Sequence, residues 1–138
     1  MAEANHTFKV KIITPERLFF EGEAAMIEFT TTEGDIGVYA NHIPLTTVLA
    51  PGVVTITGSD DSKKNAGVYS GFAEIRGDKV TLLAENAEWP DEIDEARAGR
   101  AEKRARDRLE AKKEGLDVAR AELALRKALV RKHLVTVR

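Results

Sequence analysis

The hydrophobic period changes once along this chain, near residue 90, and that change restricts it to a fold of two unlike parts. Up to about residue 85 the period is two. In TFKVKII (7–13), Phe8, Val10 and Ile12 alternate with Thr7, Lys9 and Lys11, the pattern of a half-buried strand. AMIEFTT, VVTITG, AGVYSG, FAEIRG and KVTLLAE repeat the theme. Turn signals separate them at Thr14-Pro15, Gly22, Glu33-Gly34-Asp35, Pro51-Gly52, Ser59-Asp60-Asp61 and Arg76-Gly77-Asp78. Short strands at this spacing predict a β-sandwich or barrel. No GxGxxG runs from a strand into a helix, so a dinucleotide fold is not indicated.

Beyond Pro90 the period becomes helical. Asp91 is a candidate cap, and Glu92 and Asp94 suit the positive end of a helix. One helix is expected over about 92–113, ended near Gly115, and a second from Asp117 to about 133. Each carries a narrow apolar stripe: Ala98, Ala101, Ala105 and Leu109 in the first, Val118, Ala121, Leu125 and Ala128 or Leu129 in the second. Two thin stripes and a short loop predict an antiparallel hairpin with close axes. Alanines bury little area, so the hairpin is expected to be marginal alone, as a movable element must be. Trp89, at the joint, is expected to pack the hairpin onto the sandwich. The chain thus reads as α+β, with an antiparallel β-sandwich over 1–88 and an antiparallel α-helical hairpin over 89–138.

The first helix is crowded with cations. On a helical wheel Arg97, Arg100, Arg104 and Arg108 fall within an arc of roughly 80°. Lys103 and Arg106 have acids four residues away and form ordinary i,i+4 pairs. Arg100 and Arg108 have no acid at that spacing. Arg100–Arg104 and Arg104–Arg108 are like-charge pairs costing about 0.2–0.5 kcal/mol each. A phosphate would relieve them, since guanidinium binds it bidentately. A solvated face in salt would also tolerate them. The pattern alone leaves both open.

Charge is graded along the chain. Residues 1–85 carry 7 basic and 12 acidic side chains, and residues 117–138 carry 6 and 2. A basic second helix asks for an acidic partner, whether protein, polyphosphate or nucleic acid. With no cysteine there is neither disulfide nor thiolate metal site. His6, His42 and His133 lack metal-binding spacing, so no metal is expected. Ser70 is in no nucleophile elbow, and GDIGVYANHIPL (34–45) reads as a glycine-rich loop with Pro44 restarting a strand. No catalytic constellation assembles, so the chain is not expected to be an enzyme by itself. No apolar signal core or run of about 18 apolar residues is present, which predicts a soluble chain able to sit on a membrane complex.

KIITPERLFFEGEAAMIEFTTTEGDIGVYANHIPL, YSGFAEIRGDKVTLLAENAE, IDEARA and AELALRKA together resemble the epsilon subunits of bacterial F-type rotary ATP synthases. The resemblance implies a sandwich bound to the central gamma stalk and resting on the c-ring, peripheral to the cytoplasmic face of the plasma membrane. It implies a hairpin that either folds onto the sandwich or extends toward the catalytic alpha and beta subunits and inhibits ATP hydrolysis. Arg120, Arg126, Lys127, Arg131 and Lys132 are the candidates for acidic partner surfaces. Asp35 and His42 fall where the family meets the c-ring and gamma. Relatives that bind ATP as a regulatory ligand carry I/L-D-x-x-R-A, here Ile93 to Ala98. By that resemblance Glu88, Ile93, Asp94 and Ala98 frame adenine and ribose, Arg97 and Arg104 supply cationic contacts, and Arg131 closes on the phosphates. Lys127 stands where ATP-binding relatives carry Arg, a point charge in place of a fork. Two rivals remain: a purely structural stalk subunit, and a basic nucleic-acid-binding hairpin, which predicts a steep salt dependence and leaves the acidic sandwich unexplained.

Overall fold

The computed structural model describes residues 6–138, so the first five residues of the expected 1–88 part lie outside it. Ten strands come first: β1 (Phe8–Ile13), β2 (Leu18–Ala24), β3 (Met26–Thr31), β4 (Gly34–Tyr39), β5 (Leu45–Leu49), β6 (Gly52–Thr57), β7 (Lys63–Val68), β8 (Gly71–Arg76), β9 (Lys79–Ala84) and β10 (Ala87–Glu88). A 3₁₀ turn (Pro90–Glu92) leads into α1 (Glu95–Ala111) and α2 (Val118–Thr136).

The strands form two leaves, β10-β7-β6-β3-β4 and β5-β8-β9-β1-β2, joined at one corner by the pair Thr31–Leu49. Alternation drives the packing. Phe8, Val10 and Ile12 face inward from β1, and meet Ile27 and Phe29 of β3, Val54 and Ile56 of β6, and Val80 and Leu82 of β9. Strand pairing is antiparallel except between β1 and β9, where Lys9–Ile13 run parallel to Lys79–Leu83. That pairing brings the first strand beside the last long one, and no local pattern announces it.

Several expectations need correction. Gly22 marks no turn; it lies inside β2, paired with Val10. The stretch read as a glycine-rich loop begins with strand β4, because Ile36 and Val38 alternate inward against Phe29 and Ile27. Pro44 does restart a strand, β5. The first helix starts at Glu95, capped by Asp94, whose carboxylate accepts from the Arg97 amide (3.1 Å). Asp91 falls in the 3₁₀ turn that Pro90 opens. That helix ends at Ala111 because Lys112 takes the left-handed conformation (φ 46°), four residues before the turn signal at Gly115 is reached. Asp117 caps α2 as expected, accepting from the Arg120 amide (3.0 Å).

The two helices pack antiparallel through alanines: Ala98 and Ala105 on α1, Ala121 and Ala128 on α2, all buried. Ala128, not Leu129, belongs to the seam, and Val118 is half exposed. The main contact of the hairpin with the sandwich is made by α2, over β6 and β7. This helix comes close at Gly67, where a Cβ would come within 3.0 Å of the buried Leu134 side chain and would collide with the Tyr69 hydroxyl. Gly67 is therefore the seat on which the helix rests.

Candidate functional site

The seam between α1, α2 and the end of the sandwich holds a cleft of about 330 Å³, at the small end of ligand-sized sites. The first turns of α1 supply Asp94, Arg97 and Ala98, and the next turns Ala101 and Arg104. Helical spacing puts Arg97 and Arg104, seven residues apart, on one face. Arg131 enters from α2, and Asn86, Glu88 and Glu92 form the wall from the sandwich side. The site thus draws on both helices and on the end of the sandwich.

Its charges are unequally engaged. Arg131 donates through Nε to the Glu88 carboxylate (2.7 Å), and its guanidinium lies 4.5 Å above the Tyr69 ring. Burial, and then the Glu88 charge, push the Tyr69 phenol well above its ordinary range, so it stays neutral. Arg97 and Arg104 form no ion pair with the described residues. Glu92 accepts from Arg17 Nη2 (2.7 Å) and from the Trp89 amide (2.8 Å), and the Arg17 bond chiefly holds its carboxyl below the ordinary value. Two free guanidiniums and one shared one can grip a compact polyanion. The carboxylates opposite suit hydroxyl and amino donors.

Of the residues expected to bind nucleotide, Glu88, Asp94, Arg97, Ala98, Arg104 and Arg131 are brought together. Ile93 is buried beside the cleft and does not line it; Lys127 is half buried and does not line it either. The four-arginine stripe divides, since Arg100 and Arg108 are exposed and outside the cleft. Lys103 and Arg106 pair with Asp107 (3.0 Å) and Glu102 (2.9 Å) as the spacing predicted. Among the expected partner contacts, Lys132 is engaged within the hairpin by Glu102 (2.7 Å), while Arg120 and Arg126 are exposed. Asp35 accepts from the Thr30 hydroxyl (2.8 Å), and His42 is half-buried beside Ile43, which is 79% exposed. The sequence reading assigned no role to Asn86, Glu92, Ala101 or Tyr69 here. For Glu92 the three-residue spacing from Trp89 across Pro90 was the available capping signal; Asn86 and Tyr69 gave none.

Fold and cleft together define a sandwich-and-hairpin chain with a cleft lined from both parts. Residues 7–90 match the β-sandwich domain of the ATP synthase delta/epsilon chain, and residues 91–133 match its long α-helix domain. The ATP synthase epsilon chain of Clostridium novyi (strain NT) is 43% identical over 129 residues, covering 94% of this chain and 98% of that one. That of Caldanaerobacter subterraneus subsp. tengcongensis is 45% identical over 91% of each. A chain of the Euglena gracilis mitochondrial ATP synthase superposes with a TM-score of 0.81 at 22% identity, over 96% of this chain and 82% of that one, which extends the likeness in fold. The chain belongs to the ATP synthase delta/epsilon family, and the relatives it matches in sequence are epsilon chains.

Proposed function

We propose that this chain is the central-stalk epsilon subunit of an F-type ATP synthase, and that its hairpin is a regulatory element held folded by ATP. The observation that carries the second half is the convergence of Arg97, Arg104 and Arg131 from two helices on one cleft. A ligand of that cleft binds the folded hairpin and not the extended one, and such differential affinity is the only way a ligand shifts a two-state equilibrium. At one hundred times its dissociation constant ATP would favour the folded form by about 2.7 kcal/mol. The triphosphate meets Arg97 and Arg104 and competes with Glu88 for Arg131. Asp94 and Glu88 face the sugar and base, with Ala98 leaving room. No metal is required.

In the extended state Arg120, Arg126, Lys127 and Lys132 would be offered to acidic surfaces of the catalytic alpha and beta subunits, inhibiting hydrolysis. The sandwich is the part that stays docked, on the gamma subunit and the c-ring at the cytoplasmic membrane face. An apolar row supports a permanent partner: Val48, Phe72 and Leu83 stand opposite one another on β5, β8 and β9 and are 44%, 56% and 51% exposed. Asp35 and His42 are assigned to the same docked part. No described helix is long and apolar enough to cross a membrane, which suits a peripheral subunit. The chain itself is assigned no catalytic step.

Calorimetric titration of the full chain with ATP tests the sensor. Saturable binding is expected, weakened about tenfold or more in Arg104→Ala through loss of a charge-assisted contact. Flat heats at millimolar ATP would leave a purely structural stalk subunit.

A further inference from the structure

The 3₁₀ turn Pro90–Glu92 is gripped from two sides by two arginines of different origin. From the sandwich, Arg17 in the β1–β2 turn donates through Nη2 to Glu92 Oε1 (2.7 Å) and to the Ala87 carbonyl (3.4 Å). Its guanidinium lies 4.9 Å from the centroid of Phe19, and Phe19 stacks on Trp89 with centroids 4.4 Å apart and planes 17° apart. The same Glu92 oxygen also accepts from the Trp89 amide (2.8 Å). Every group in this first grip lies on the sandwich, the turn or the joint. From the other side, Arg138 donates through Nη1 to the carbonyls of Pro90 and Ile93, both at 3.1 Å. That second grip reaches the turn from beyond the end of α2.

We propose that Arg17 is the positioning residue that fixes this turn to the sandwich, and that Arg138 is a releasable latch closing α2 onto it. The two grips differ in what opening of the hairpin does to them. Moving α2 away breaks both Arg138 bonds and leaves the Arg17–Glu92–Trp89 cluster intact. The pivot therefore lies after Glu92, at Ile93 and Asp94, where extended backbone links the turn to α1. The backbone bonds at those two residues are the Ile93 amide to the Pro90 carbonyl (3.2 Å), which belongs to the turn, and the Asp94 cap with the Ala98 amide to the Asp94 carbonyl (3.0 Å), which belong to α1. Arg17 also holds Glu92 against the cleft wall, so the wall keeps its position whether or not the hairpin is folded. The latch rests on the reading above that the hairpin opens; the pivot assignment rests on the contacts just given.

The chain has no cysteine and a single tryptophan, Trp89, which permits two independent readouts on the full chain without ATP. Spin labels on Lys79→Cys in β9 and Glu122→Cys in α2 report the separation of the two parts, and Trp89 emission reports the joint. Arg138→Ala should raise the ratio of long to short label distances by about tenfold, the low end of the loss expected for hydrogen bonds from a charged donor, with Trp89 emission unchanged. Arg17→Ala should shift Trp89 emission to the red. Leu134→Ala, which strips the seat on Gly67, should populate long distances whatever the latch does. If Leu134→Ala stays at short distances, the mobile hairpin and the latch both fall. If Leu134→Ala opens and Arg138→Ala does not, the latch alone falls. If Trp89 emission shifts in step with opening of Arg138→Ala, the turn travels with the hairpin and the pivot is misplaced.

Discussion

The sandwich and the hairpin are built from different chemistry, and the difference suits them to different roles. Between the leaves lie Phe8, Phe29, Ile12, Ile27, Ile75 and Leu82, each almost fully buried. Between the helices lie four alanines, with Leu134 alone providing a large buried side chain toward the sandwich. Burial stabilises in proportion to apolar area, about 25 cal/mol per Å², so the leaves cohere strongly and the helices weakly. The hairpin makes up the deficit with polar ties: Lys132–Glu102 between helices, Arg131–Glu88 and Arg138 to the turn. Polar ties are exchangeable for water or for a partner's charges, and packed leaves are not. One part can serve as a fixed dock and the other as a moving arm.

The largest test of this contrast is a cavity in the sandwich. Ile27→Ala, at a fully buried position, should cost about 2–5 kcal/mol and lower the melting temperature of the whole chain by circular dichroism. Overpacking the hairpin should behave differently. Ala128→Leu at the equally buried seam should cost about 1–3 kcal/mol, confined to α1 and α2 amides in hydrogen exchange, with the melting of the strands unmoved. A matching fall in strand melting would abolish the distinction between the parts.

A third test concerns the cleft. Lys127→Arg should leave ATP affinity within error of the parent, because Lys127 does not line the cleft. A marked tightening would place residue 127 in the ligand's reach. The smallest effect is on pH. Lys132 first, then Arg106, holds the Glu102 carboxyl below 4.5, and Arg17 does the same for Glu92. Groups with a depressed folded value stabilise fully above the unfolded value and lose that contribution as pH falls through the folded one. Docking of α2 and of the turn should therefore be constant above about pH 4.5 and weaken below it. These pairs are exposed, so the change should be small and visible in α2 exchange before any change in the strands.

The division into two parts was legible because hydrophobic period is a local signal. Alternation in residues 7–13 and the alanine spacing of both helices follow from backbone geometry alone. β4 was missed because its glycines suggested turns, and the inward pair Ile36 and Val38 was too short to outweigh them. The first helix was started too early because three acids, Asp91, Glu92 and Asp94, precede it and the sequence does not say which one caps. Pro90 decides this by closing a 3₁₀ turn first, leaving Asp94 as the cap. The two arginines that stood out by having no acid at helical spacing, Arg100 and Arg108, lie outside the cleft, while Arg97 and Arg104, each with an acid three residues away, line it. The long-range ties Arg17–Glu92 and Arg131–Glu88 join residues 75 and 43 apart, beyond any local pattern. Which arginines face the cleft depended on where α2 crosses, and that is fixed at Gly67, a residue with no side chain to announce it.

The central claim is that ATP acts on the arm and not on the dock. Hydrogen exchange of the full chain with and without ATP tests it most directly. The account predicts greater protection of amides in α1, α2 and the Pro90–Asp94 segment, with strands β1–β9 unchanged. Unchanged exchange at saturating ATP, or protection spread equally over strands and helices, would contradict it.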